Sequence, residues 1–264
     1  MARASSKLAF ANPAPWFGRE REPGGAYRGL RMMSDTGLHA QLACLIVDLC
    51  PLKPHGPPAR ILDLGCGEGA LAQRLHDLGY EVVAADVRPE PFHAKGPRFV
   101  QCDFNDASFA EVLLRSHAGG FDGVVACEVI EHLRNPWEFL AGCRRVCGPE
   151  THLLLSTPNV ASWWSRFWFL LTGDWWGFQH ESWSQPGHIR PITATEMTHL
   201  LRENGFECLR VISGGRLPIV WAYNWKRFLI SLAMLPWRLV MRGPVDGWNL
   251  IFHAKPMPDR GARA

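Results

Sequence analysis

The sequence predicts an α/β fold with a doubly wound, mostly parallel sheet, on three observations. Short apolar runs of strand length alternate with amphipathic segments; a glycine-rich turn, "GCGEGA", joins the first such run to the first such helix; and acidic residues recur where the strands end. At 264 residues the chain is long enough for one large domain with insertions. A hydrophobic content of 47% and a net charge of +3 are ordinary for a folded protein and give no basic stripe for nucleic acid.

Residues 1 to about 30, rich in Pro, Gly and Arg, read as an arm over the surface. "LHAQLACLIVDL" (38–49) has helical apolar spacing and stops before Pro51, so residues 1–55 divide into an arm and a lead-in helix. Residues 56–264 form the main domain. Its elements follow in order: "RILDLG" strand, "GALAQRLHDLG" helix, "EVVAADV" strand, "FVQCDF" strand, "SFAEVLLRSH" helix, "FDGVVACE" strand, "PWEFLAGCRRVC" helix and "HLLLSTP" strand. The segment 157–190 loses this period. It holds six of the twelve tryptophans, from Trp163 to Trp183, and reads as a cap insertion. In "TATEMTHLLRENGF", Thr193 and Glu196 form a capping-box pattern, and Gly205 falls where a helix-terminating glycine belongs. "FECLRVIS" is a strand, residues 216–247 a helical insertion interrupted at Pro236, and "WNLIFHAKP" a final strand.

The eight cysteines are scattered without a C-x-x-C pair and read as reduced thiols. The N-terminus lacks a sustained apolar h-region, and the longest apolar run, Phe228 to Trp237, is far short of the roughly 20 residues a spanning helix needs. A cytoplasmic protein is therefore expected. Within the second insertion, "NWKRFLISLAMLPWRLVMR" has flanking cations and interfacial tryptophans, suiting peripheral contact at the inner face of a membrane; packing over the sheet is the other reading.

Gly65, Gly67 and Gly69 allow backbone to approach a ligand at a helix N-terminus. Gly65, Gly67 and Ala70 also satisfy the dinucleotide fingerprint, so a nicotinamide-dependent oxidoreductase is one reading. Asp63 and Glu68 argue against it, because a pyrophosphate here would meet two negative charges, whereas a ligand bearing an ammonium and a sulfonium would be attracted. Asp86 ends the second strand, placed to accept hydrogen bonds from ribose hydroxyls, and Asp103 closes the third at the same edge, near where an adenine would lie.

"CEVIEHLRNP" puts Glu128, Glu131 and His132 just past a strand, on one face if the turn is helical. Carboxylates and imidazole suit a divalent cation such as Mg²⁺, Mn²⁺ or Zn²⁺. A histidine base without metal, and a purely structural trio, are the other readings. The aromatic cap suits an apolar or ring-containing substrate, or else only cements the cap to the core.

Taken as an ordered set, "ILDLGCGEG", "AADV", "QCDF", "FDGVVACEVIEHL", "RRVCGPETHLLLSTPN" and "GHIRPITATEMTHLLRENGF" resemble the motifs of class I S-adenosylmethionine-dependent methyltransferases over about residues 60–213. The resemblance implies a Rossmann-like seven-stranded sheet whose last strand is antiparallel. It implies that Gly65, Gly67 and their loop, with Cys66 and Gly69, hold the methionine end of the cofactor, that Asp86 meets the ribose, that Asp103 and Phe104 meet the adenine, and that Asp63 and Val87 also belong to the cofactor-binding set. Cys127 would touch the cofactor through its backbone. The E-x-x-E-H pattern resembles that of the ubiquinone-biosynthesis O-methyltransferases and the small-RNA terminal 2′-O-methyltransferases, implying Glu128, Glu131, His132 and His188 as metal ligands, with His180 a rival to His188. The layout "STPN…GHIRPIT" is similar to that of bacterial envelope-glycan enzymes and implies a small-molecule, glycan or lipid-linked acceptor methylated on oxygen, with Glu131, His132 and His188 doing the chemistry.

Overall fold

A computed structural model describes residues 10–11, 25–35, 37–116, 120–184, 187–215 and 225–258. Most of the expected arm, and the first part of the second insertion, lie outside these. Two short pieces precede the main fold: a two-residue strand β1 (Phe10–Ala11) and a hairpin of β2 (Ala26–Tyr27) and β3 (Leu30–Arg31). The lead-in helix α1 (Leu38–Leu49) follows.

The alternation then runs as the sequence pattern requires. β4 (Arg60–Leu64), α2 (Ala70–Asp77), β5 (Glu81–Asp86), β6 (Arg98–Gln101), α3 (Phe109–Ser116), β7 (Phe121–Cys127), α4 (Pro136–Val146) and β8 (Cys147–Pro158) form the first part. The cap contributes α5 (Trp163–Thr172) and α6 (His180–Ser184), and α7 (Ala194–Glu203), β9 (Phe206–Gly214), α8 (Trp225–Arg238) and β10 (Asn249–Pro256) complete the chain. α8 continues through Pro236 instead of stopping there: a proline in the last turn costs one backbone bond on an exposed side.

The sheet order is β1-β9-β10-β8-β7-β4-β5-β6, with β10 antiparallel to both neighbours and every other pairing parallel. Seven strands carry the sheet as expected, and Phe10–Ala11 adds a short edge beside Val211 and Ile212. Helices cover both faces. Leu62, Val124, Leu153 and Phe252 point to one side, toward α3, α4 and α7, while Ile61, Val125, Leu154 and Ile251 point to the other, toward α1 and α2. The strands alternate inward-facing residues on two faces, so each run is apolar throughout. The order reverses at β4, which lies between β5 and β7, and ligands of open α/β sheets bind outside the strand ends at such a point.

Candidate active site

A cavity of about 880 Å³ opens at the carboxyl ends of β4, β5, β6 and β7. Of the residues expected to hold a cofactor, Asp63, Gly65, Cys66, Gly67, Asp86, Val87, Asp103, Phe104 and Cys127 all line it. Gly69 does not. It starts α2 at φ 88, and a Cβ there would meet Phe92 at 2.7 Å, so its lack of a side chain serves the seating of the 92–94 loop on the helix.

The glycine turn is built by close approach. Gly65 has φ 75, and a Cβ on it would lie 2.3 Å from Val129 Cγ2; its N–H and that of Cys66 both donate to the Ala85 carbonyl. The turn is thereby fastened to the neighbouring strand. Gly67 N–H donates to Asp86 Oδ2 at 2.9 Å, which fixes the acid at the mouth of the cavity. Asp63 sits deeper, 2% exposed, with Oδ2 lacking a hydrogen-bond partner. Burial, and then the charge of Asp86, push its carboxyl up to about 8. A buried acid with an open oxygen is a site for a cationic group. Beneath Asp103, Phe104 stacks edge-on to Phe109 in an aromatic floor that includes Phe139.

The Glu/Glu/His trio divides. β7 is followed by Glu128 at φ 56, and Ile130–His132 form a single 3₁₀ turn rather than the helix the shared-face expectation needs. The left-handed backbone at Glu128 swings its carboxylate away: Ser156 Oγ donates to one oxygen at 3.0 Å and Asn249 Nδ2 to the other at 2.6 Å. Burial, reinforced by Asp35, pushes this carboxyl up to about 8 against the two donors. Glu131 and His132 turn toward the cap instead. A Glu131 oxygen and one ring nitrogen each of His132 and His188 lie within 4.8 Å of one another, and Glu128 stands outside that group. His180, on α6, is also outside it.

His188 arrives there by backbone pairing. The Glu131 carbonyl accepts from the Ile189 and Arg190 amides, each at 3.1 Å, which pins the segment returning from the cap to the 3₁₀ turn. His132 Nδ1 then meets the Gly187 carbonyl at 3.0 Å, and His188 Nδ1 the Gly177 carbonyl at 2.7 Å. A carbonyl only accepts, so each Nδ1 carries the proton and each Nε2 keeps its lone pair. Burial lowers both imidazole pKa values, keeping the rings neutral. The Glu131 carboxylate is fully buried, neither oxygen accepts a hydrogen bond despite the nearby Thr157 hydroxyl, and burial with Glu128 beside it holds its pKa well above the usual range.

Several lining residues carry no motif that sequence reasoning could single out. Met33, Ser34 and Asp35 reach the cavity from just after the segment read as a surface arm, because Tyr27 and Arg28 bind Asp77 and fold the hairpin over α2. His39 from α1, Asn159 after β8, and Trp248 and Asn249 at β10 also line it. For the polar ones the sequence signal is a polar residue just before or after an apolar run; Met33 and Trp248 carry none.

The aromatic cap and second insertion pack together. Trp163 and Trp164 are buried against Trp168, Trp176, Trp248, Ile230 and Met234, and Trp176 and Trp248 reach the cavity wall. Asn159 Nδ2 donates to the carbonyls of Pro244, Asp246 and Gly247, tying the cap's start to the end of the insertion.

Comparison with known proteins adds the family. Residues 38–211 match the family described as "Methyltransferase domain". The ubiquinone biosynthesis O-methyltransferase of Xanthomonas axonopodis pv. citri is 38% identical over 114 residues, covering 41% of this chain and 46% of that protein. The chain thus spans less than half the length of this curated relative. A SAM-dependent methyltransferase from Archaeoglobus fulgidus shares the fold at a TM-score of 0.55, with 18% identity over 82% of this chain and 94% of that one. Magnesium protoporphyrin IX methyltransferase from Synechocystis PCC 6803, solved with bound SAH, does so at 0.52, with 16% identity over 83% and 81%. The nicotinamide-dependent alternative is overturned by the family match, as the acids around the glycine turn foretold. With that match on a sheet of this order and acids at its rim, the chain belongs to the class I S-adenosylmethionine-dependent methyltransferases.

Proposed function

We propose that this methyltransferase acts on a hydroxyl of a hydrophobic acceptor, lipid-linked or glycan, with help from a divalent cation. The observation that carries the reading is Glu131: a fully buried carboxylate with both oxygens unsatisfied, beside two neutral imidazoles whose Nδ1 atoms are already fastened to backbone carbonyls. An orphaned buried carboxylate is costly on its own. Held imidazoles with open Nε2 atoms are how proteins orient metal-binding histidines, so the donors fit a divalent cation. A cation bound by Glu131, His132 and His188 would supply Lewis-acid lowering of a nearby hydroxyl's pKa.

The chain's own residues supply the rest. Asp63 and Asp86 hold the cationic and ribose portions of the cofactor, whose role is to supply an electrophilic methyl on sulfur. Phe104 and Asp103 frame its base. Trp176 and Trp248 offer apolar surface to the acceptor and exclude water from the reacting hydroxyl. Without a cation, His132, neutral and with Nε2 open, would instead take the hydroxyl proton itself as the oxygen attacks. Similarity over part of the ubiquinone enzymes favours oxygen as the acceptor atom.

The experiment follows labelled methyl incorporation into fractionated lipids, glycans and RNA, with and without chelator. Label in the lipid or glycan fraction that falls on chelation and returns with Mn²⁺ or Mg²⁺ supports the reading. Label in RNA would move the protein to the alternative, a metal-dependent RNA 2′-O-methyltransferase. Glu131→Ala and His132→Ala that bind S-adenosylhomocysteine normally and turn over undiminished would remove both residues from the mechanism.

A further inference from the structure

α8 is apolar on two sides. Its inner face, with Ile230 and Met234, packs on the tryptophan cluster. Its outer face exposes Leu229 (51%), Leu232 (48%) and Trp237 (63%), and the turn that follows exposes Leu239 (88%) and Val240 (71%). A surface helix ordinarily presents polar residues there. A second projection lies at the end of α5, where Leu170 and Leu171 are 82% and 65% exposed. Charge tells what this surface fits. From residue 215 to residue 247 the sequence holds Arg216, Lys226, Arg227, Arg238 and Arg242 against a single acid, Asp246, which pairs with Arg238, so the stretch is net cationic. Two copies facing each other through this segment would oppose cation to cation, whereas lipid phosphates complement it. No helix of the described residues is long and apolar enough to cross a membrane, and α8 at 14 residues spans roughly 21 Å, a length suited to lying in the interface plane.

We propose that the outer face of α8, with the end of α5, docks on an anionic phospholipid bilayer. The inference goes beyond the catalytic reading and is tested without acceptor or metal. Its consequence for the site is spatial: the cluster that seats α8 includes Trp176 and Trp248, so the docking element and the cavity wall share one packed unit. A lipid-linked acceptor would reach the cavity without leaving the interface.

The test is co-sedimentation of the full chain with vesicles of phosphatidylcholine, alone or mixed with phosphatidylglycerol, and of a Leu229→Gln/Leu232→Gln/Trp237→Gln variant whose fold is checked by thermal melting and S-adenosylhomocysteine binding. The wild type is expected to partition onto the phosphatidylglycerol vesicles and the variant to do so at least about tenfold less, since each lost apolar side chain removes insertion energy. Added salt should weaken wild-type binding without abolishing it. If the triple variant melts early, Leu170→Gln/Leu171→Gln takes its place in the same assay. Wild type that stays in the supernatant with anionic vesicles, or folded variants that partition equally, would overturn the proposal. So would light scattering that shows a wild-type dimer, made monomeric by the variant, with no vesicle binding, since that assigns the face to a second copy.

Discussion

The two halves of the cavity are made differently. Along the glycine turn, Asp63, Gly65, Gly67 and Asp86 lie within 24 positions on consecutive β-strand ends, and their contacts are largely set by the strands on which they sit. Toward the cap, His132, Trp176, His188 and Trp248 come from four separate stretches and meet only because the cap, the second insertion and the last strand pack together. The first half is a local device repeated along a sheet edge, and the second is an assembly. Damage to the former should therefore register in cofactor affinity, and damage to the latter in stability and turnover.

The largest effect is expected from Gly65→Ala. The added Cβ combines a left-handed backbone, costing about 1–2 kcal/mol, with a collision on Val129, and calorimetry should find no measurable S-adenosylhomocysteine binding. Binding near wild type would mean that the turn is not the cofactor cradle. Asp63→Asn comes next, because it removes a buried charge partner for the ligand's ammonium, and affinity should fall at least about tenfold. It should also stabilise the ligand-free protein. Asp63 ionises near 3.8 ordinarily and near 8 in the fold, so between those values the unfolded chain binds fewer protons than the native one, and native stability declines as pH rises from about 4 to about 8. Unfolding curves across that range should show the slope in wild type and a shallower one in Asp63→Asn; parallel slopes would refute the assignment.

On the assembled side, Asn159→Ala strips the donor from the carbonyls of Pro244, Asp246 and Gly247 and should cost about 2–3 kcal/mol in denaturant unfolding, with S-adenosylhomocysteine affinity nearly unchanged. A large loss of affinity would show that the two halves are coupled through β8. The smallest effect is expected from Thr193→Ala, which removes the cap from α7 at about 1 kcal/mol and touches neither half. A change in turnover there would mean that α7 transmits to His188.

Much of this was legible in the chain itself. The strand and helix runs, the capped start of α7 and the acids at the cavity's rim follow from periodicity and from residue types at turns, which local sterics and hydrogen bonding enforce. Glu128 shows where that legibility stops. Its spacing from Glu131 and His132 allows a shared face in a helix, but the turn after β7 is 3₁₀ and begins with Glu128 at positive φ, so its carboxylate is taken by Ser156 and Asn249. Asn249 is 121 positions away, and no local pattern announces it. The hairpin at residues 26–31 gives a second instance: a segment without periodicity is fixed over α2 by Asp77, a partner chosen by packing.

Local sequence alone set the doubly wound sheet, its switch point and the acids at the cavity's rim, because alternating apolar runs admit few ways of burying both faces and each rim acid sits at the end of its own strand. Packing settled the cap side: which acid joins the two histidines, which tryptophans reach the cavity and which face of α8 stays outside. Those outcomes depend on contacts between residues far apart in the chain, whose meeting is settled by packing volume and hydrogen-bond satisfaction in three dimensions.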